Sequence, residues 1–363
     1  MNDMGISSDF IIIGGGIAGA SAGGRLAKLG RVCLLEAEDA LAYHASGRSA
    51  AMFEEHYGTP AVVALNGASR GYHETAHGGV LTPRGFMVAG TKGQEATLKA
   101  NIAEMKLAPI SKTEALDLFP ILNPDRLAGA GYDEDAWDID TDRLIQNFAR
   151  DLRQNGEVIT SARAKAITRL RDGWKVETGK GCYTGKVLIN AAGAWVDEVA
   201  TMSGVKPIGI VPRRRSVARI SAPTGRDVSR WPMVLGAGET WYAKPDAGAL
   251  IVSPADADPT TPHDAWADDM VLAEGLARYE DMVTEPVTRM ISNWAGLRSF
   301  TPDGNLAIGP ASDDPDFIWF AGQGGYGMQS SPAASQLLAD MISGRSSELD
   351  AGTIKALNAA RFG

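Results

Sequence analysis

The sequence predicts an α/β fold with an α+β inserted part. A parallel-sheet domain is assembled from separated pieces of the chain, and a β-rich antiparallel domain is inserted between them. Three observations carry this. "DFIIIGGGIAGASAGGRLAKLGRVCLLEAE" reads strand, glycine turn, helix, strand. "KVLINAAGAW" and "FIWFAGQGGYGMQSSPAASQLLADMI" return to a strand and a glycine turn in the middle and at the end of the chain. The intervening stretches 80–90, 206–221 and 233–253 are short and turn-punctuated, the pattern of antiparallel strands.

In chain order, Phe10 to Ile13 is a short β-branched run and therefore a strand. Gly14, Gly16 and Gly19 follow, and a helix runs from Ala20 to Leu29, ended by Gly30. Val32 to Leu35 is the second strand, closed by Glu36. Helical stretches are expected at 94–106, 113–118, 140–154 and 265–282. Lys186 to Trp195 is a third, parallel-type strand. Phe317 to Phe320 is a fourth, with a turn over Gly322–Gly327. The helix after it spans Ser330 to Ile342, with Ser330 or Ser331 as N-cap and Pro332 near its start.

A lone GxGxxG says little in a chain with 42 glycines. Here it follows a strand, opens a helix, and an acidic residue closes the next strand 22 positions after Gly14. That is the dinucleotide-binding fingerprint. Gly14 permits the tight turn, Gly16 lets a pyrophosphate approach the backbone, and Gly19 lets helix and strand pack closely. The helix N-terminus offers unpaired N–H groups to phosphates, and Glu36 accepts a ribose hydroxyl. The loop Ser46–Gly47–Arg48–Ser49–Ala50–Ala51 then departs from the regular alternation of an NAD enzyme. It suits a backbone laid along a flavin with N–H groups pointing inward. The positive end of the last helix suits the flavin pyrimidine, where negative charge builds on reduction.

Composition narrows the function. The 363 residues are 44% hydrophobic, enough for a two-domain core. A net charge of -9 argues against broad nucleic-acid binding. Cys33 and Cys182 stand alone, which fits a reducing cytoplasm and no zinc site. "MNDMGISSDF" lacks the positive segment of a signal peptide, and no run of about 20 apolar residues suggests a membrane span. "DIDTD" resembles a calcium loop, but Arg143 stands at its glycine position and Ala149 at its closing glutamate, so Asp140 or Thr141 is read as a helix cap. "HETAH" offers a His73–His77 pair without a third ligand, and no metal is expected. Ser46 and Ser49 lack a nucleophile context; Trp231, Trp241 and Trp294 are read as core or pocket walls.

The stretches "GGGIAGAS", "GRSAA", "YGTP", "DIDTD", "NAAGAW", "RRS", "WPM", "YAKPDAG", "WAGLRSF" and "QGGYGMQ" occur in an order that resembles the D-amino-acid oxidase-like FAD oxidoreductases. Within that family the likeness is nearest to the bacterial D-arginine dehydrogenases. The resemblance implies a glutathione-reductase-type flavoprotein: a Rossmann-like FAD-binding domain at 1–56, 133–204 and 297–363, and an antiparallel substrate-binding domain at 57–132 and 205–296. It implies non-covalent FAD held by Gly14, Gly16, Ile17, Ala18, Gly19, Glu36 and Ala37. The loop Ala45, Ser46, Gly47, Arg48, Ser49, Ala50, Ala51 and Met52 joins them, with Ala164, Ala192 and Gly193. Gly324, Gly325, Tyr326, Gly327, Met328 and Gln329 complete the set.

The resemblance also implies that Arg215 and Arg298 hold a substrate carboxylate, for which arginine is the two-pronged donor. From spacing alone, Arg298 reads equally as a structural ion pair, in a stretch "SNWAGLRSFTPDG" that looks like a buried turn. Alternation puts Arg213 and Arg215 on one face and cannot separate them; the resemblance selects Arg215. Tyr57 and Tyr242 line the reacting face, with Met233, Gly325 and Gln329 beside them. The implied reaction is oxidative deamination of a D-amino acid by hydride transfer from the α-carbon to flavin N5. The electron acceptor is unspecified.

Three positions depart from the D-arginine enzymes: Phe86 replaces a glutamate, Met52 a histidine and Glu54 a threonine. They predict a pocket favouring neutral or apolar side chains over arginine. Glu54 either restores an acidic wall or is a solvated loop carboxylate beside Glu55. An alternative within the same class is oxidation of glycine, sarcosine or another secondary amine; alternatives of other kinds are a non-catalytic FAD-binding subunit and an NAD-dependent dehydrogenase.

Overall fold

A computed structural model describes residues 6–363. Residues 1–5, which include part of the segment read as lacking a signal peptide, lie outside the described residues. Two large sheets organise the chain. The first runs Ala164–Leu170, Gly173–Thr178, Gly181–Asn190, Ile6–Ile13, Val32–Leu35, Gly156–Ile159, with Phe317–Ala321 and Ala307–Pro310 attached beyond Gly181–Asn190. Ile6–Ile13 is parallel to both Gly181–Asn190 and Val32–Leu35, and Phe317–Ala321 is parallel to Gly181–Asn190. Ile12, Val32, Leu34 and Ile189 pack on one face with Ala18, Ala22 and Leu337, while Ile11, Cys33 and Leu35 pack on the other with Trp174 and Val199. Both faces are covered, which is why these strands read as continuous apolar runs.

The first turn behaves as its glycines require. Gly14 has φ +106°, and a Cβ at Gly19 would lie 1.8 Å from the Gly14 carbonyl oxygen. The helix after it spans Ile17–Leu26, starting and ending three residues before the expected limits. Gly30 is not its cap; the N–H of Gly30 closes onto Leu26 in the following turn. The strand expected over Lys186–Trp195 stops at Asn190, where a short 3-10 turn, Gly193–Trp195, takes over. The last helix begins at Gly327 and runs to Ser343. Ser330 and Ser331 are not its caps: their hydroxyls donate back to the carbonyls of Tyr326 and Met328. The helix expected from 265 begins at Asp269, capped by Asp268. Asp140 caps Thr141–Leu152, one of the two caps expected there.

A 16-residue helix, Pro60–Thr75, was not read from the sequence. Thr59 caps it and Pro60 sits in its first turn. Its inward face carries Asn66, Ser69 and His73 among Ala61, Val62 and Leu65, so the apolar period is broken by polar residues. Those residues bond the last helix instead: Ser69 accepts from the Ala333 N–H at 3.0 Å, and His73 meets the Gln329 carbonyl at 2.9 Å. Burial depresses the His73 pKa to about 4, so it is neutral at pH 7.

The second sheet runs Met290–Phe300, Val211–Ser221, Ala249–Ser253, Tyr242–Asp246, Met233–Gly236, Phe86–Thr91, Leu127–Asp133, Ala108–Ile110. It is antiparallel as expected except for one pair: Met233–Gly236 lies parallel to Phe86–Thr91. Arg298 stands in the strand Met290–Phe300 and not in a turn. That strand runs unbroken through the boundary expected between 296 and 297. Trp231 and Trp241 pack in the core beneath this sheet.

Candidate active site

The carboxyl ends of the parallel strands open onto one cleft, where Gly14, Glu36, Ala192 and Gly324 converge. Ligands of open parallel sheets bind at this edge. The cavity there measures about 420 Å³, and a smaller chamber of about 80 Å³ adjoins it, with room for a small molecule only. Arg215, Tyr242, Arg298, Gly325 and Met328 line both.

At the nucleotide end, Glu36 is buried at 7% exposure. Its Oε2 accepts the Gly15 N–H at 2.5 Å and its Oε1 the Glu38 N–H at 2.8 Å. These two backbone bonds hold the Glu36 side chain in place as a hydrogen-bond acceptor at the edge of the cleft. Ser46 accepts the Ile17 N–H at 2.9 Å, which holds the turn Ala45–Arg48 over the start of the first helix. Of the residues expected at the cofactor, Gly14, Gly16, Ile17, Ala18, Glu36, Ala37, Ala45, Ser46, Arg48, Ser49, Ala50, Ala164, Ala192, Gly193, Gly324, Gly325, Gly327 and Met328 line the larger cavity. Gly19, Gly47 and Tyr326 do not line it. Gly19 serves helix packing, and the Gly47 N–H points to the Ala42 carbonyl at 2.8 Å, not inward. The Tyr326 ring lies edge-on to Tyr57, 5.3 Å between centroids. Ala51, Met52 and Gln329 line the smaller chamber instead. The Arg48 guanidinium is taken by Asp264 and by the carbonyls of Ala265 and Ala295, while the Arg48 carbonyl accepts from Trp294. Arg48 and Trp294 thus tie the loop to the antiparallel sheet.

The smaller chamber brings together every residue expected to touch substrate: Glu54, Tyr57, Phe86, Arg215, Met233, Tyr242, Arg298, Gly325 and Gln329. Arg215 is 9% exposed and its Nε has no hydrogen-bond partner among the described residues. Burial, and then the neighbouring Arg298, hold its pKa below the ordinary arginine value. Burial acts the same way on Arg298, but Tyr57, Tyr242 and Glu239 outweigh it and raise the pKa. Glu239, whose side chain is 42% exposed, is 3.9 Å from Arg215. A buried guanidinium (Arg215) beside a half-buried one (Arg298), with one part-exposed carboxylate near them, leaves uncompensated positive charge. Gly325 closes on Arg298: a Cβ there would lie 3.0 Å from the guanidinium carbon. Gln329 clamps the opposite wall, accepting the Glu54 N–H at 3.1 Å and donating to the Tyr57 carbonyl at 3.3 Å.

Glu54 is 2% exposed, so the solvated-loop reading is overturned. Burial first, then the Asp133 carboxylate, push its pKa up to about 8. Leu235, Glu239 and Lys244 were not read from the sequence as site residues. Lys244 shares a strand face with Tyr242, so "YAKPD" carried the signal through alternation. Its Nζ bonds the Ala50 carbonyl at 2.5 Å and pairs with Asp138 at 2.6 Å, pinning the loop between the two cavities.

Residues 9–341 match the family described as DAO, FAD dependent oxidoreductase. The chain belongs to the DAO family of FAD-dependent oxidoreductases. FAD is its cofactor, and the glycine turn and the buried Glu36 lining the cleft fit the group. This DAO-family chain is similar to a glycerol 3-phosphate dehydrogenase from Caloramator mitchellensis, with 26% identity over 64% of this chain and 49% of that protein. It is similar to a glycine oxidase from Pseudomonas aeruginosa, with 30% identity over 57% of this chain and 56% of that one. The matches span about half the length of these two relatives. Two solved structures share the fold: a glycine oxidase from Geobacillus kaustophilus (TM-score 0.83, 21% identity, 97% of this chain and 99% of that chain) and an L-proline dehydrogenase from P. horikoshii (0.84, 22%, 99% and 98%). No helix among the described residues of this flavoenzyme is long and apolar enough to cross a membrane.

Proposed function

We propose that the chain catalyses FAD-dependent oxidative deamination of a D-amino acid with a neutral side chain. The observation that carries this is the pair of neighbouring guanidiniums, Arg215 buried and Arg298 half-buried, with only one part-exposed carboxylate, Glu239, 3.9 Å from Arg215. An α-carboxylate supplies the missing negative charge and accepts from the unpartnered Arg215 Nε. Tyr57 and Tyr242 close the chamber over the bound substrate, so orientation carries much of the rate. FAD supplies the acceptor for the hydride and its two electrons. The substrate loses the hydride from Cα and a proton from nitrogen, and the imine then adds water to give the 2-oxo acid and ammonia. Burial holds the Tyr57 pKa above its ordinary value, so Tyr57 is a hydrogen-bond donor at neutral pH and no base.

The D configuration rests on the stretches shared with the D-arginine dehydrogenases, such as "YAKPDAG" and "QGGYGMQ". Arginine itself is disfavoured, because Phe86 is buried where the guanidinium partner stands in those enzymes. A second reading, oxidation of glycine or a secondary amine such as sarcosine, is supported by the glycine oxidase among the relatives.

Anaerobic mixing with D- and L-amino acids, glycine and sarcosine tests both. Bleaching of the flavin by D-amino acids supports the first reading, and bleaching confined to glycine or sarcosine supports the second. A flavin that no amine bleaches points to a non-catalytic subunit.

A further inference from the structure

Lys244 is a buried cation behind the wall shared by the two cavities, and the carboxylate clamp makes no use of it. Its Nζ donates to the Ala50 carbonyl and pairs with Asp138 Oδ1 at 2.6 Å. Asp138 stands opposite Met52 in register, and its Oδ2 accepts Arg84 Nε at 2.7 Å. Arg84 in turn donates to the carbonyls of Ser229 and Trp231, at 2.7 and 2.9 Å, just before Met233. A lysine, an aspartate and an arginine therefore join three walls: the strand of Tyr242, the loop 49–52 and the segment leading to Met233.

The loop held this way passes from one cavity to the other at Ala50. Ser49 and Ala50 line both cavities, whereas Ala51 and Met52 line only the smaller chamber. The crossing is strained: Ala51 has φ +43°, in the left-handed region that alanine disfavours. Both polar ends of the Ala50–Ala51 peptide are fixed, the carbonyl by Lys244 and the Ala51 N–H by Ser49 Oγ at 3.1 Å. Such a conformation persists only where its surroundings over-determine it.

We propose that Lys244 is a positioning residue for flavin reduction: by fixing the Ala50–Ala51 peptide between the cavities, it sets the placement of cofactor against substrate and so the rate of the chemical step. Misplacing reacting groups by about 1 Å can cost about 100-fold in rate. Substrate affinity is expected to survive the loss of Lys244, because the proposed clamp, Arg215 and Arg298, lies on other strands. The inference rests on the FAD site and that clamp, not on the D configuration. Asp138 keeps Arg84 when the lysine is replaced, so Lys244→Met leaves no unpaired acid.

Lys244→Met, saturated with FAD, tests this through its resting flavin absorption and through anaerobic reduction by D-leucine. The absorption bands are expected to shift, because Ala50 lines the cofactor cavity. The limiting rate of reduction is expected to fall about 10-fold or more, with the dissociation constant for D-leucine within a factor of a few. Adding Ala51→Gly, which removes the strain that Lys244 offsets, is expected to recover the rate several-fold. An unchanged spectrum or limiting rate overturns the proposal, as does a loss confined to D-leucine affinity or one that Ala51→Gly leaves in full. If Lys244→Met does not fold, Asp138→Asn, which leaves the ammonium with Ala50 alone, is expected to slow reduction by a smaller factor; an unchanged rate there overturns it too. If D-leucine does not reduce the unaltered protein, the D-amino-acid reading fails, glycine or sarcosine replaces it in the assay, and the spectral shift still decides the role of Lys244.

Discussion

Arg215 and Arg298 lie on neighbouring antiparallel strands and on the same face. Arg215 stands opposite Gly296, two residues before Arg298, so the two guanidiniums are diagonal neighbours. Arg213 stands directly opposite Arg298, yet its side chain turns to the Ala257 carbonyl at the sheet's edge. The register thus separates what alternation alone leaves ambiguous.

In the proposed carboxylate clamp Arg298 meets the group shared by all amino acids, so its replacement is expected to act on every substrate alike. Arg298→Lys is expected to raise KM about 10-fold or more for each D-amino acid tested, the scale of a lost charge-assisted hydrogen bond. Steady-state kinetics on a panel of side chains checks this; an effect confined to one side chain contradicts it. FAD affinity is expected to stay within a factor of a few.

Glu36 is held by two backbone N–H groups at the cleft's nucleotide end. Glu36→Ala removes those bonds together with the acceptor proposed to hold the ribose. Its dissociation constant for FAD, read from flavin fluorescence, is expected to rise about 10-fold or more, since bonds to charged groups are worth about 1.5–3 kcal/mol. An unchanged constant removes Glu36 from the cofactor site.

Much of this was legible in the sequence because it follows local rules. The first glycine turn, the closing Glu36 and the parallel strands repeat a short periodic pattern. The helix Pro60–Thr75 escaped notice because Asn66, Ser69 and His73 face the core and bond another helix 250 or so residues away in sequence. Glu239 and Lys244 escaped for a similar reason. Their roles come from Arg215, Ala50 and Asp138, which only the folded sheet brings near. Gln329 in the last helix holds the Glu54 backbone N–H, a contact that no local pattern announces.

Glu54 makes stability pH-dependent. Its pKa rises from an ordinary 4.5 to about 8 on folding, so the folded state holds the proton more tightly. The resulting contribution is full below about pH 4.5 and is lost as pH rises through about 8. Relative to Glu54→Gln, the unaltered protein is expected to lose melting temperature between pH 5 and 8.5, with a ceiling of about 5 kcal/mol at 1.36 kcal/mol per pH unit. Thermal melts of both proteins across this range check it; parallel curves contradict the assigned proton.

Phe86 is buried at the end of the second sheet, opposite Asp133 in register. Phe86→Glu places a carboxylate where the resemblance to the D-arginine dehydrogenases implies one. Turnover of D-arginine is expected to rise about 10-fold or more relative to D-leucine, the scale of one charge-assisted hydrogen bond. Competition between the two substrates measures it, and no gain counts against Phe86 as the residue that excludes arginine.

The central claim is that Arg215 and Arg298 bind a carboxylate. Comparing D-leucine with D-leucinamide in anaerobic flavin reduction tests it most directly, because the two differ only in that group. Leaving buried charges without their partner costs about 2–5 kcal/mol, so the amide is expected to be slower in kcat/KM by roughly 30-fold or more. Equal reduction by the acid and the amide would contradict the claim.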